Sequence, residues 1–91
     1  MTIDPIYQII TARIKAADGR YWAGDNISEH IHDEYERLDL INEIAVAFED
    51  VLDTLIIDRF NDPNSKGTPR RLAKMYVNEI MQGRYDPIPS A

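Results

Sequence analysis

Leu38-Asp39-Leu40-Ile41-Asn42-Glu43-Ile44-Ala45-Val46-Ala47-Phe48-Glu49-Asp50-Val51-Leu52-Asp53-Thr54-Leu55 decides the fold. Leu38, Ile41, Ala45, Phe48, Leu52 and Leu55 recur in alternating steps of three and four, the spacing of an apolar seam along a helix. Ile44, Val51 and Ile56 broaden that face, and most carboxylates fall opposite it. Outward in both directions, no glycine or proline interrupts residues 27–60, and Ile31 and Tyr35 extend the periodicity. A straight helix of about 32 residues would be about 48 Å long. A compact chain of this length has a radius of gyration of about 12 Å and is only about 31 Å across. The helix therefore either breaks, between Glu34 and Asp39, or packs its excess length on another chain.

Upstream, Asp4-Pro5 is a helix opening: an acid to cap free N–H groups, then proline at the first helical position. Ile6, Ile10, Ile14 and Ala17 keep helical spacing, and Asp18-Gly19 ends the segment, with glycine expected in the left-handed cap conformation. This is a first helix over about residues 5–17. Gly19 and Gly24 bracket Tyr21-Trp22 in a connector, where at least one aromatic is expected to pack on the bundle. Downstream, Asn61-Asp62-Pro63-Asn64-Ser65-Lys66-Gly67 is a loop rich in turn formers. Thr68-Pro69 repeats the cap-then-proline device. Leu72, Met75, Tyr76 and Ile80, with Val77, make the buried stripe of a last helix that Gly83 is expected to stop. Pro87 and Pro89 then favour an extended path. The expectation is all-α: a small antiparallel bundle of about three helices with a long central one, a domain over residues 1–86, and the start of a linker at 87–91.

Composition narrows the function. There is no cysteine, which removes disulfides, thiolate zinc sites and cysteine nucleophiles. No apolar run is long enough to span a bilayer, and no signal peptide precedes Asp4, so a cytoplasmic protein is expected by default. The net charge of −6 is uneven: residues 25–62 hold twelve acids against Arg37 and Arg59, while residues 63–91 hold five bases against Glu79 and Asp86. An acidic middle argues against a nucleic-acid partner. His30 and His32 are two apart and face different ways on a helix, so they do not form the two-histidine zinc pattern. Lys66-Gly67-Thr68 inverts the order a phosphate loop needs, and no two carboxylates stand out as an acid–base pair.

The start of the last helix is the exception. Arg70 and Arg71, with Lys74 a turn later, sit where the helix end is already positive. Such cations cost about 0.3 kcal/mol or more each when nothing compensates. Either a bound phosphate is held by guanidinium and helix N–H groups together, or the cations pair with the acidic central helix; on chemistry alone the internal pairing is the more ordinary arrangement.

Gly67-Thr68-Pro69-Arg70-Arg71-Leu72-Ala73-Lys74-Met75-Tyr76-Val77-Asn78-Glu79-Ile80, followed by Gly83, resembles the N-terminal helical part of GTP cyclohydrolase I. The similarity covers about Leu38 to Tyr85, and the first helix fits only in kind. The family is a pterin- and folate-pathway hydrolase that converts GTP and water to 7,8-dihydroneopterin triphosphate and formate. It assembles as a large ring with active sites at subunit boundaries, and zinc held by cysteines and a histidine in a later α+β domain activates the water. The resemblance implies that Arg71 lies near the substrate triphosphate with Lys74 on the same face, while Arg70 falls at a variable position. It also implies that the partners are further copies or the missing catalytic domain. The zinc ligands and the catalytic acid have no counterpart here, so the chain is expected to carry no cofactor and to be inactive alone. Ending in Tyr85-Asp86-Pro87-Ile88-Pro89 resembles an interrupted linker. The alternative is a free-standing helical protein-interaction module without catalysis.

Overall fold

The computed structural model describes residues 3–89, so the first two and last two residues of the expected domain and linker lie outside the described part. The described residues are all-α: α1 (Ile6–Ala16), a 3-10 turn (Ser28–His30), α2 (Glu34–Thr54), α3 (Thr68–Met75), a π turn (Tyr76–Ile80) and α4 (Gln82–Tyr85).

The long apolar segment breaks earlier than its periodicity suggests. Its helix starts at Glu34, so the break lies at residues 31–33 and not between Glu34 and Asp39. The cause is local: the Asp33 carboxylate accepts the Glu36 N–H at 2.9 Å, and Glu36 accepts the His32 N–H at 2.8 Å. The Asp33 bond satisfies one orphan donor of α2, the Glu36 bond ties down the residue before the cap, and together they fix the helix start. At the other end α2 stops at Thr54, and Ile56 takes a left-handed φ of 64°. That leaves a helix of 21 residues, roughly 32 Å long.

Helix α1 begins at Ile6, with Pro5 as an extended cap residue and no side-chain cap from Asp4. Its cap comes from another helix: Glu43 of α2 accepts the Ile6 N–H at 2.6 Å and the Tyr7 N–H at 2.9 Å. A carboxylate at the positive end of α1 satisfies two donors and favours the helix dipole. At the far end Asp18, and not Gly19, carries the left-handed φ, 52°. Asp tolerates that region better than most side chains because it bonds locally.

Two apolar clusters meet on α2. Ile6, Ile10 and Ile14 of α1 join Ile27 and Leu40 in one; Ile41 of α2 joins Ala73 and Val77 of α3 in the other. Ile44 and Tyr85 touch both. The buried stripe of α3 is thus Pro69, Ala73 and Val77, not Leu72, Met75, Tyr76 and Ile80; Tyr76 and Ile80 are exposed. Ala73 and Val77 are fully buried, and a methyl side chain at the crossing lets the two backbones approach closely. The π turn after Met75 shifts the register by one residue, so Ile80 points away from the core, and the helix ends at Met81 with Gly83 inside α4.

The C-terminal turn is held by polar contacts distant in sequence. The Ile27 N–H donates to Arg84 O, and Asn26 Nδ2 donates to Gly83 O and Asp86 O. Arg84 returns bonds to the carbonyls of Trp22 and Asp25. Arg37 of α2 completes the clasp, donating to Asp86 at 2.7 Å, Asn78 at 2.9 Å and Tyr85 O at 3.3 Å. The whole is open for its length. The radius of gyration is 15.0 Å, against about 12 Å for a compact chain.

Candidate functional site

Arg70, Arg71 and Lys74 all lie on α3, in its first two turns, and all three are exposed. Their placement follows from the burial of Pro69, Ala73 and Val77: that stripe faces α2 and turns the cations outward. Arg71 folds back over the start of its own helix. Its Nη2 donates to Thr68 Oγ1 at 3.1 Å, and a Cβ built on Gly67 would lie 2.8 Å from its Nη1. A side chain at 67 would push the guanidinium tip aside, a cheap shift for the end of an exposed arginine. Thr68 is spent on that contact and on Asn64 O, so its hydroxyl caps no N–H group.

The expected pairing of these cations with the acids of α2 is not formed. Arg70 reaches α2 but bonds to the neutral Asn42. Among the described residues, neither Arg71 nor Lys74 lies in an ion pair. Other arginines engage acids of α2 and the last turn. Arg13 forks onto Glu36 with bonds of 2.6 and 2.8 Å, Arg37 meets Asp86, and Arg59 meets Asp53 at 2.9 Å and Glu49 at 3.8 Å. The Arg13 fork, helped by the His32 N–H, holds the Glu36 carboxyl at about 2, well below its ordinary value of 4.5.

The seam residues divide. Ile41 and Leu52 are buried, Ala45 and Phe48 are half-buried against α3, and Leu38 and Leu55 are exposed at 43% and 63%. The middle of the seam is therefore consumed within the chain, where Phe48 stacks obliquely on Tyr76 with centroids 5.4 Å apart. Of the connector aromatics, Tyr21 borders a half-open cavity of about 140 Å³ between α1, Ile27 and Tyr85, while Trp22 stays 69% exposed beneath Arg20. None of the α3 cations lines that cavity.

No group of three metal-ligating side chains occurs among the described residues. His30 sits in the 3-10 turn beside Glu29, and His32 lies in the break before α2. With no cysteine in the chain, the residues present do not fit a zinc site of cysteines and histidine. Among the described residues, no helix is long and apolar enough to cross a membrane.

Residue spacing did not disclose the Glu43 cap of α1 or the Arg37 clasp. The Asp33–Glu36 start did carry a signal, since an acid followed three residues later by glutamate is the pattern of a reciprocal cap. No protein-family model, curated protein or solved structure matches the chain.

Proposed function

We propose that this chain is a helical assembly domain that works as the N-terminal region of a GTP cyclohydrolase I-like enzyme. Its three longer helices form an antiparallel bundle with α2 at the centre, Ile6 meeting Glu43 while Arg13 meets Glu36. Arg71 and Lys74 supply positive charge to a substrate triphosphate, and the catalytic zinc belongs to another domain. Alone, the chain hydrolyses nothing.

One observation carries this reading. Arg71 stands exposed in the first turn of α3 and Lys74 exposed one turn on, neither with an acid partner among the described residues, although twelve acids occupy residues 25–62. Leaving a cation such as Arg71 at a positive helix end costs stability unless an anion arrives. The motif from Gly67 to Ile80 supplies the identity of that anion by resemblance.

Two measurements test it. Inorganic triphosphate is titrated into the labelled chain and followed by NMR; the Arg71 and Lys74 signals should move, and Arg71→Ala should abolish the response. A GTP cyclohydrolase I catalytic domain is then supplied in trans, and 7,8-dihydroneopterin triphosphate should form only when both parts are present. A silent titration together with no gain in trans would sink the proposal.

The second reading, a free-standing interaction module, is favoured by the exposure of Val51, Leu55 and Ile56 at 48%, 63% and 92%. Normal triphosphate-free behaviour with tight capture of an unrelated protein partner would favour it over the first.

A further inference from the structure

The half-open cavity between α1 and the C-terminal turn combines an apolar lining with one full charge. Ile10 and Ile14 of α1 line it together with Ile27 and Leu40, and all four are buried. Tyr7, Tyr21 and Tyr85 supply aromatic walls. Its volume is about 140 Å³, close to the roughly 150 Å³ of an apolar cavity that stays dry and takes up benzene. A single six-membered ring is the scale of occupant it suits.

The charge is that of Arg84, which also lines the cavity. Its guanidinium lies between two of the aromatic walls: Nη2 donates to Tyr21 O at 3.3 Å, and Cζ stands 5.9 Å from the Tyr85 ring centroid. Nη1 donates to Trp22 O at 2.6 Å and to Asp25 O at 3.2 Å. All of these bonds end on neutral carbonyls, and a guanidinium has five N–H donors, so two remain. The Asp25 carboxylate is spent nearby on the Arg20 fork, at 2.9 and 2.8 Å, and on the Trp22 N–H at 2.8 Å. Among the described residues Arg84 enters no ion pair. An arginine held in place by carbonyls keeps its charge for an anion, and a carboxylate matches its planar fork. No acidic side chain lines the cavity, so an ammonium group would find no partner there.

We propose that this cavity is a binding site for a single-ring aromatic carboxylate, with the ring against the isoleucines and Leu40 and the carboxylate at Arg84. It is separate from the triphosphate reading: neither Arg71 nor Lys74 lines it, and failure of one leaves the other standing.

The probe is benzoate, titrated into the full chain with isotope-labelled isoleucine methyls and followed by NMR. The methyls of Ile10, Ile14 and Ile27 and the Arg84 Nε–H should shift saturably, with a Kd of about 1 mM or tighter. Ile56, which does not line the cavity, should stay still. Benzamide keeps the ring without the charge and should bind about tenfold more weakly or worse. Acetate keeps the charge without the ring and should leave the methyls in place. Thr11 lines the cavity, and its hydroxyl bonds only within its own helix, to Tyr7 O at 2.7 Å. Thr11→Phe should therefore fold, fill the space with its own ring, and lose about tenfold or more in benzoate affinity. The benzoate–benzamide comparison uses the unaltered chain and decides the matter even where that variant does not fold. Equal binding of benzamide and benzoate would overturn the proposal. So would methyl shifts with acetate as large as with benzoate, unchanged affinity in a folded Thr11→Phe chain, or no saturable shift with benzoate.

Discussion

Replacing Glu36 by glutamine tests the junction that starts α2. The carboxylate takes two bonds from Arg13, at 2.6 and 2.8 Å, and one from the His32 N–H at 2.8 Å. Its carboxyl is held at about 2 against an ordinary 4.5. A full shift of that size would correspond to roughly 3 kcal/mol by linkage. The Arg13 and Glu36 side chains keep 27% and 19% of their exposure, however, and solvent screening brings the expected contribution to about 1–2 kcal/mol. The sign follows from the depressed value. The contribution is complete above about pH 4.5, declines as the pH falls, and is gone below about pH 2. Urea unfolding of wild type and Glu36→Gln over that range reads it out. The wild type should be more stable by about 1–2 kcal/mol at pH 6, and the gap should close toward pH 2. A gap that stays constant across the range would refute the reasoning, because a loss of shape alone does not titrate.

Three further substitutions probe the packing, the caps and the clasp. Ala73→Leu forces a larger side chain into the fully buried α2–α3 crossing and should destabilise by about 1–3 kcal/mol in urea unfolding. Ile56→Gly removes an exposed side chain from a left-handed position and should stabilise by about 0.5–1 kcal/mol in the same assay. Arg37→Met keeps the stem but deletes bonds to Asp86, Asn78 and Tyr85; hydrogen exchange at Arg84 and Asp86, whose N–H groups bond within this last turn, should quicken at least tenfold, as expected for loss of about 1.4 kcal/mol or more.

Local chemistry made the helical segments legible. The periodicity of Leu38–Leu55 and the proline-led starts near Ile6 and Thr68 each describe one stretch of backbone, and each stretch is helical. Val77 is buried as its spacing suggests, but the exposure of Ile80 was not legible, because the π turn at Tyr76–Ile80 changes the register after two turns. Nothing in the spacing of Leu72, Tyr76 and Ile80 reports that change. The cap of α1 was not legible for a related reason: Asp4 is adjacent in sequence, but Glu43 reaches the free N–H groups through space. At the candidate site, sequence showed that three cations crowd a helix start. It could not show that Arg70 would meet an amide, or that Arg13, Arg37 and Arg59 would engage Glu36, Asp86, Asp53 and Glu49.

Tyr85 links these local pieces into one folding unit. It touches the α1 cluster and the α3 cluster, and it arrives only through a turn pinned to residues 26 and 37. These contacts span 60 and 48 residues, so folding spends their loop-closure entropy before they return any stability. Until that last turn docks, α1 is held to α2 chiefly by its isoleucines, the Glu43 cap and the Arg13 fork. Loss of that turn would loosen α1 and α3 together, since Tyr85 packs against both of their clusters.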